Sequence, residues 1–206
     1  MSYDYPRLFA KIVAAVSDDS SIYRRMQDLI SECEAQQPHP DWDRLRNIDF
    51  EADEGKIESW FSRSFSGVMF SAPPSGLWVG LVNLSDESGD IVAEAYVGAS
   101  PAFQSLSNDW ARSIESVTDK NYLGSNVLRE VYRVAYDSDD GLENDAEYPL
   151  VLAYGAMATR KAIASSVLPI ELSAMQGVAV GFDSGDYLHL GEFTNGQFIS
   201  NVRIGG

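Results

Sequence analysis

Residues 77–84, Leu-Trp-Val-Gly-Leu-Val-Asn-Leu, are apolar at both odd and even positions. Successive side chains of a strand point to opposite faces, so such a run needs cover on both of them. It predicts a central strand, and the rest of the chain must supply its neighbours and its cover. Pro73-Pro74-Ser75-Gly76 turns the chain before it, and residues 86–90, with Ser88-Gly89, turn it afterwards. Residues 91–97 return as a second strand and complete a hairpin. Residues 67–72, β-branched and aromatic, read as a further strand ahead of the turn. Near the other end, residues 178–182 and 187–193 flank Asp183-Ser184-Gly185-Asp186 as a second hairpin. Asn195-Gly196, a tight-turn pair, leads into residues 198–204. The closing Gly205-Gly206 reads as a frayed end.

Helical periodicity supplies the cover. Phe9, Ile12, Val13 and Val16 share one helix face after Pro6. Residues 17–20 break that helix and offer caps for the next. Ile22, Met26, Leu29, Ile30 and Cys33 form a second stripe, stopped by Pro38-His39-Pro40. Ile57, Trp60, Phe61 and Phe65 place a third helix over residues 53–65. Ser100-Pro101 opens a helical stripe through Phe103, Leu106, Trp110, Ile114 and Val117. Residues 127–136 read as a helix through Val127, Val131, Val134 and Ala135, with a strand as the alternative because β-branched and aromatic residues are dense. Pro149 opens a long apolar helix to about residue 166, with Gly155 inside it for close packing. The expected fold is α+β: a mainly antiparallel sheet of about six strands covered by helices, with a helical N-terminal region. One domain is expected over 1–206, helical over 1–66 and sheet with covering helices over 67–206.

Charge excludes some functions. The chain holds 31 acidic residues against 15 basic ones, a formal charge of −16. Its pI is near 4.3 and its mean hydropathy is −0.18. Phosphate is repelled by such a surface, so neither nucleic acid nor an anionic membrane is an expected partner, whereas a basic protein is attracted. Cys33 is the single cysteine, which excludes an intrachain disulfide and fits a reducing, cytoplasmic setting. The first six residues lack the charged lead-in and apolar core of a signal peptide. No apolar run approaches the ~20 residues that span a bilayer.

Catalytic patterns are absent. His39 and His189 belong to no spaced ligand cluster, and there is no nucleophile elbow, phosphate loop or dinucleotide fingerprint. No cofactor and no metal is expected. The acidic segment 137–147 stands out instead, with Asp137, Asp139, Asp140, Glu143, Asp145 and Glu147 and no base. Asp137 and Asp139 match the first and third positions of a calcium loop. Gly141 falls one place early and Tyr148 replaces the closing glutamate, so that motif fails. A second acidic stretch holds Asp49, Glu51, Asp53 and Glu54. Both stretches are expected to contact a basic partner; Trp42 and Trp60, near the second, fit the core better.

The closing hairpin, Gly181-Phe182-Asp183-Ser184-Gly185-Asp186-Tyr187-Leu188, resembles one found in bacterial immunity proteins of polymorphic and contact-dependent toxin systems. The acidity, size and helix-covered sheet are similar to that class. The resemblance implies a non-enzymatic inhibitor that neutralises a cognate toxin domain, often a basic nuclease, by direct binding. It assigns no functional residue. The alternatives are an enzyme using carboxylates or a divalent ion, with Asp137, Asp139, Asp140 and Glu143 as ligands, and a structural or adaptor module of a phage or secretion system.

Overall fold

The computed structural model describes residues 3–53, 55–65, 68–86, 88–104, 107, 109–116, 122–137, 139–165, 172, 174–183 and 185–205. It shows an α+β protein with a mixed sheet. The described elements run α1 (Tyr5–Ser17), α2 (Ile22–Gln36), α3 (Asp41–Arg46), α4 (Lys56–Ser64), β1 (Gly76–Ser85), β2 (Ile91–Ser100), a 3-10 turn (Asp109–Ser113), β3 (Glu115–Ser116), α5 (Asn126–Ala135), α6 (Asn144–Ser165), β4 (Gly177–Phe182), β5 (Tyr187–Thr194) and β6 (Gln197–Gly205). The strand order is β3-β2-β1-β4-β5-β6.

The run at residues 77–84 is central, as its two apolar faces require. It pairs antiparallel with β2 and parallel with β4, from Gly76 opposite Gly177 to Leu81 opposite Phe182. That parallel pair joins the N-terminal hairpin to the β4-β5-β6 meander; the other four pairings are antiparallel, so the sheet is mainly antiparallel as expected, with one parallel pair that makes it mixed. A parallel neighbour needs a long crossover, and the chain from β2 through α5 and α6 is that connection. Residues 68–72 are not a strand, and Gly67 lies outside the described residues. β3, two residues long, makes the sixth strand from a segment expected to be helical. The stripe through Phe103 and Trp110 is carried mainly by non-helical chain and the 3-10 turn, while Leu106 and Val117 fall outside the described residues. Residues 127–135 are helical, which decides against the strand alternative. β6 continues through Gly205, which pairs with Tyr187, so the expected fraying stops short of that residue.

α6 explains how the two faces differ. It is apolar almost all round, with residues from Ala146 to Ile163 buried on every side. A helix of that kind belongs in a core, and here it lies on the sheet with α1, α2, α4 and α5 around it. Gly155 permits the approach: a Cβ there would stand 2.8 Å from Leu81 Cδ2. The helix starts at Asn144, a turn before Pro149. Proline cannot donate to the carbonyl four residues back, which is that of Asp145. The Tyr3 hydroxyl donates to that oxygen instead, at 2.7 Å. The opposite sheet face carries a second cluster of Trp78, Trp110, Ala179 and Tyr187, with Tyr96 and Phe103 packed on it. Its rings lie over glycines. A Cβ at Gly80 would meet Tyr96 at 2.0 Å, and one at Gly177 would meet Phe103 at 2.1 Å.

Candidate functional site

α5 is held at three points by buried carboxylates. Asp53 is fully buried at its N-terminus. It accepts from Ser125 Oγ (2.5 Å), from the amides of Asn126 and Val127 (both 3.1 Å) and from the Tyr154 hydroxyl (3.4 Å). A carboxylate placed there meets the positive end of the helix dipole and its first amides. Ser125 itself caps Leu128 N at 3.0 Å. Glu94 on β2 is buried and accepts from Arg129 Nε (3.0 Å), from Arg129 Nη2 and from Gly124 N (2.5 Å). Glu147, buried in the first turn of α6, accepts from Asn83 Nδ2 and from the Tyr136 hydroxyl, both at 2.7 Å.

Two of the carboxylates expected to meet a partner, Asp53 and Glu147, therefore face inward. Their charge is matched by internal donors, as a buried carboxylate requires. Asp137 is exposed but paired, 2.5 Å from Arg44 Nη2 and 3.9 Å from Arg133 Nη1. The Arg44 bond holds its carboxyl below the usual range. Asp145 is half-buried, and burial pushes its carboxyl up. Asp139, Asp140 and Glu143 are exposed, with Glu143 in the left-handed region at φ 46°. The Asp140 carbonyl accepts from His39 Nε2 at 2.8 Å, while His39 Nδ1 accepts from Asp41 N at 3.2 Å. Asp49 and Glu51 are exposed, and Glu54 lies outside the described residues. The two acidic stretches adjoin opposite ends of α5, so its ten residues place them about 15 Å apart rather than on one patch. Among the described residues no three His, Cys, Asp or Glu side chains are grouped to hold a metal ion. Trp42 and Trp60 are in the core.

A groove lies beside α5, open to solvent, with a volume of about 560 Å³. The β1–β2 turn forms one wall with Asp86, Asp90, Ile91 and Val92. The outer face of α5 forms the other with Arg129, Glu130, Tyr132, Arg133, Tyr136 and Asp137. Tyr132 and Tyr136 are stacked, with centroids 4.5 Å apart and planes at 26°. They sit four apart, in the last turn of α5 and at its C-cap; Tyr132 also packs against the core, and Tyr136 is the more exposed of the two. Ile91 is 45% exposed and Tyr136 41%. Burial, then the bond to Glu147, raises the Tyr136 hydroxyl well above its ordinary range, so it stays a donor. In the turn, Asp86 Oδ1 accepts from Ser88 N (2.8 Å), Ser88 Oγ (2.6 Å) and Asp90 N (3.0 Å). The Ser88 bond keeps the Asp86 carboxyl low and therefore ionised.

Of the side chains lining this groove, Asp86, Asp90, Glu130 and Asp137 are carboxylates and Arg129 and Arg133 are guanidiniums. Four against two leaves a surplus of two negative charges. The guanidiniums are already engaged, Arg129 by Glu94 and Arg133 by Glu130 at 2.9 and 2.5 Å; Arg44, outside the lining, is held by Asp41 and Asp137. A second cavity, about 430 Å³, contains Arg25 and Arg160. Both donate to the end of α1, Arg25 to Ala15 O and Asp18 O, Arg160 to Val16 O and Asp18 O. Their donors thus cap a helix, and that cavity presents no comparable uncommitted side.

The acidic run drew attention to the neighbourhood of this site but not to its working parts. Asp86, Asp90, Ile91, Tyr132 and Tyr136 were not singled out, although the tyrosine spacing on a valine-faced helix was a readable signal. His189 is buried against Phe103, ring centroids 5.7 Å apart and nearly parallel. No described helix is long and apolar enough to cross a membrane. No protein-family model matches the chain, and no curated protein and no solved structure matches it significantly.

Proposed function

We propose that this is a non-enzymatic acidic binding protein that neutralises a basic protein partner, a cognate toxin domain, through the face built on α5. The observation that carries the reading is the groove: apolar and aromatic side chains left half-exposed, with a surplus of carboxylates around them. Interface energy concentrates in such aromatic anchors, while the surrounding charge sets encounter rate and partner choice. The net charge of −16 extends the same preference over long range. Resemblance of the closing hairpin to those of immunity proteins supplies the toxin. A nuclease toxin has a basic cleft because it must hold phosphate, and an acidic ligand suits it.

The test is co-expression with the product of the adjacent gene, followed by affinity capture and calorimetry at low and moderate salt. A complex whose association slows as salt rises is the expected result. No binding and no protection against any neighbouring toxin at either salt would overturn the reading.

A further inference from the structure

The reading above gives the partner a charge but not a chemistry, and the groove beside α5 narrows it. Resting on that reading, we propose that the groove receives an arginine side chain of the partner, its guanidinium laid against Tyr136 and paired with Asp86 and Asp90 of the β1–β2 turn.

Four features converge on arginine. Ile91 and Val92 give one wall of the groove an apolar stretch that suits the methylene stem of a long cationic side chain, whose head stays among polar groups. Tyr136 offers a half-exposed ring in the same cavity, and a planar guanidinium lies flat on such a ring, whereas an ammonium meets it only as a point charge. Ser88 sits between the two turn carboxylates: its amide donates to Asp86, and its single hydroxyl proton is shared between Asp86 Oδ1 at 2.6 Å and Asp90 Oδ2 at 3.2 Å. A pre-organised carboxylate is the acceptor a guanidinium fork uses best. Finally, the groove's own guanidiniums are paired, so the remaining imbalance is negative and an anionic occupant would meet repulsion.

The experiment is an amide NMR titration of the full ¹⁵N-labelled chain with blocked Gly-Arg-Gly-Arg-Gly, and with its lysine counterpart. Perturbations concentrated at Ile91, Val92, Tyr132, Arg133 and Tyr136, with the arginine peptide about fivefold or more tighter, are expected. Asp86→Asn with Asp90→Asn should weaken it about tenfold, since asparagine keeps the turn's acceptor but not its charge. Asp19→Asn with Asp28→Asn removes equal charge from exposed positions away from the groove and should cost less than about twofold. Ile91→Lys, on a half-exposed side chain, should abolish binding while the protein melts as before. Scattered perturbations, equal loss from both double variants, or no preference for arginine would overturn the proposal. A toxin that binds wild type and the Asp86→Asn/Asp90→Asn variant equally would also overturn it, leaving the toxin reading intact. Peptide bound in the groove with no toxin bound anywhere would sink the toxin reading and support the groove.

Discussion

Replacing Asp53 tests whether α5 is anchored from outside itself. The carboxylate is wholly buried and takes four donors: two first-turn amides, the Ser125 hydroxyl and the Tyr154 hydroxyl. In Asp53→Ala the hydroxyls can turn to other acceptors, but the amides of Asn126 and Val127 cannot move without unwinding the helix. Each buried donor left without a partner costs about 1–3 kcal/mol, and the lost helix-dipole contact adds roughly 0.3–1 kcal/mol. The total loss should be about 2–7 kcal/mol, a range that includes the cost of breaking a buried charged pair. For a chain of this length that is a fall in Tm of about 4–28 °C. Asp53→Asn keeps one acceptor oxygen and should lose roughly half as much. Ser125→Ala removes the local cap and one of the four donors to Asp53, roughly 1–3 kcal/mol. Urea unfolding, followed by tryptophan fluorescence and far-ultraviolet circular dichroism together, measures all three. A loss below about 1 kcal/mol for Asp53→Ala would refute the anchoring argument.

Other consequences follow from single groups. Burial pushes the Cys33 thiol up to about 12, so a disulfide reagent at pH 8 should leave the native protein unlabelled and label it at once in urea; labelling in the native state would contradict the burial. Burial, then the charge of Arg203, lowers His189 to about 4, so the unfolded chain (about 6.5) binds the proton first. Stability from this residue is complete above pH ~6.5 and drains away as pH falls towards 4, and His189→Gln should flatten that part of the pH–stability curve relative to wild type. At Gly181 an added Cβ would stand 2.5 Å from the Asp186 carbonyl and 2.6 Å from Tyr187 Cα, both backbone atoms. Gly181→Ala should therefore lose about 1–3 kcal/mol in denaturant melts, and a neutral result would show the two strands can part freely.

Elements governed by local periodicity were legible, and those governed by contact were not. Residues 77–84 announced a central strand because the apolar run is short and bounded by turn signals at residues 73–76 and 86–90. They could not announce a parallel neighbour, since β4 is equally apolar and its direction follows from the crossover through α6. Pro149 pointed to a helix but not to its start, because the missing hydrogen bond is replaced by Tyr3, 142 residues away along the chain. The stripe through Phe103 and Trp110 has helical spacing yet serves a different end: its rings settle over glycines of the far sheet face. The acidic segments showed charge without depth. Nothing local separates Asp53, locked under α5, from Asp49, which faces solvent. Glu147 and Glu143 likewise lie a single turn apart, with opposite fates.

The distribution of charge bears on how such a surface would work. Arg7, Arg44, Arg46, Arg133, Arg160 and Arg203 each lie within 4 Å of a carboxylate at least partly open to solvent. Exposed pairs of this kind contribute roughly 0–1 kcal/mol, too little to explain them as stabilisers. Their larger effect is on the field: they cancel the local positive potential that would turn an approaching cation aside, and the surplus carboxylates keep their long-range pull. Pull alone does not hold a partner, because salt screens it beyond about 8 Å at physiological ionic strength. Contact needs a place where apolar area and carboxylates coincide, as they do in the α5 groove. Charge removed far from the groove should then alter the association rate and its salt dependence, whereas changes at Asp86, Asp90 or Ile91 should alter dissociation. A complex in which distant and groove substitutions affected both rates alike would mean that field and contact are not divided in this way.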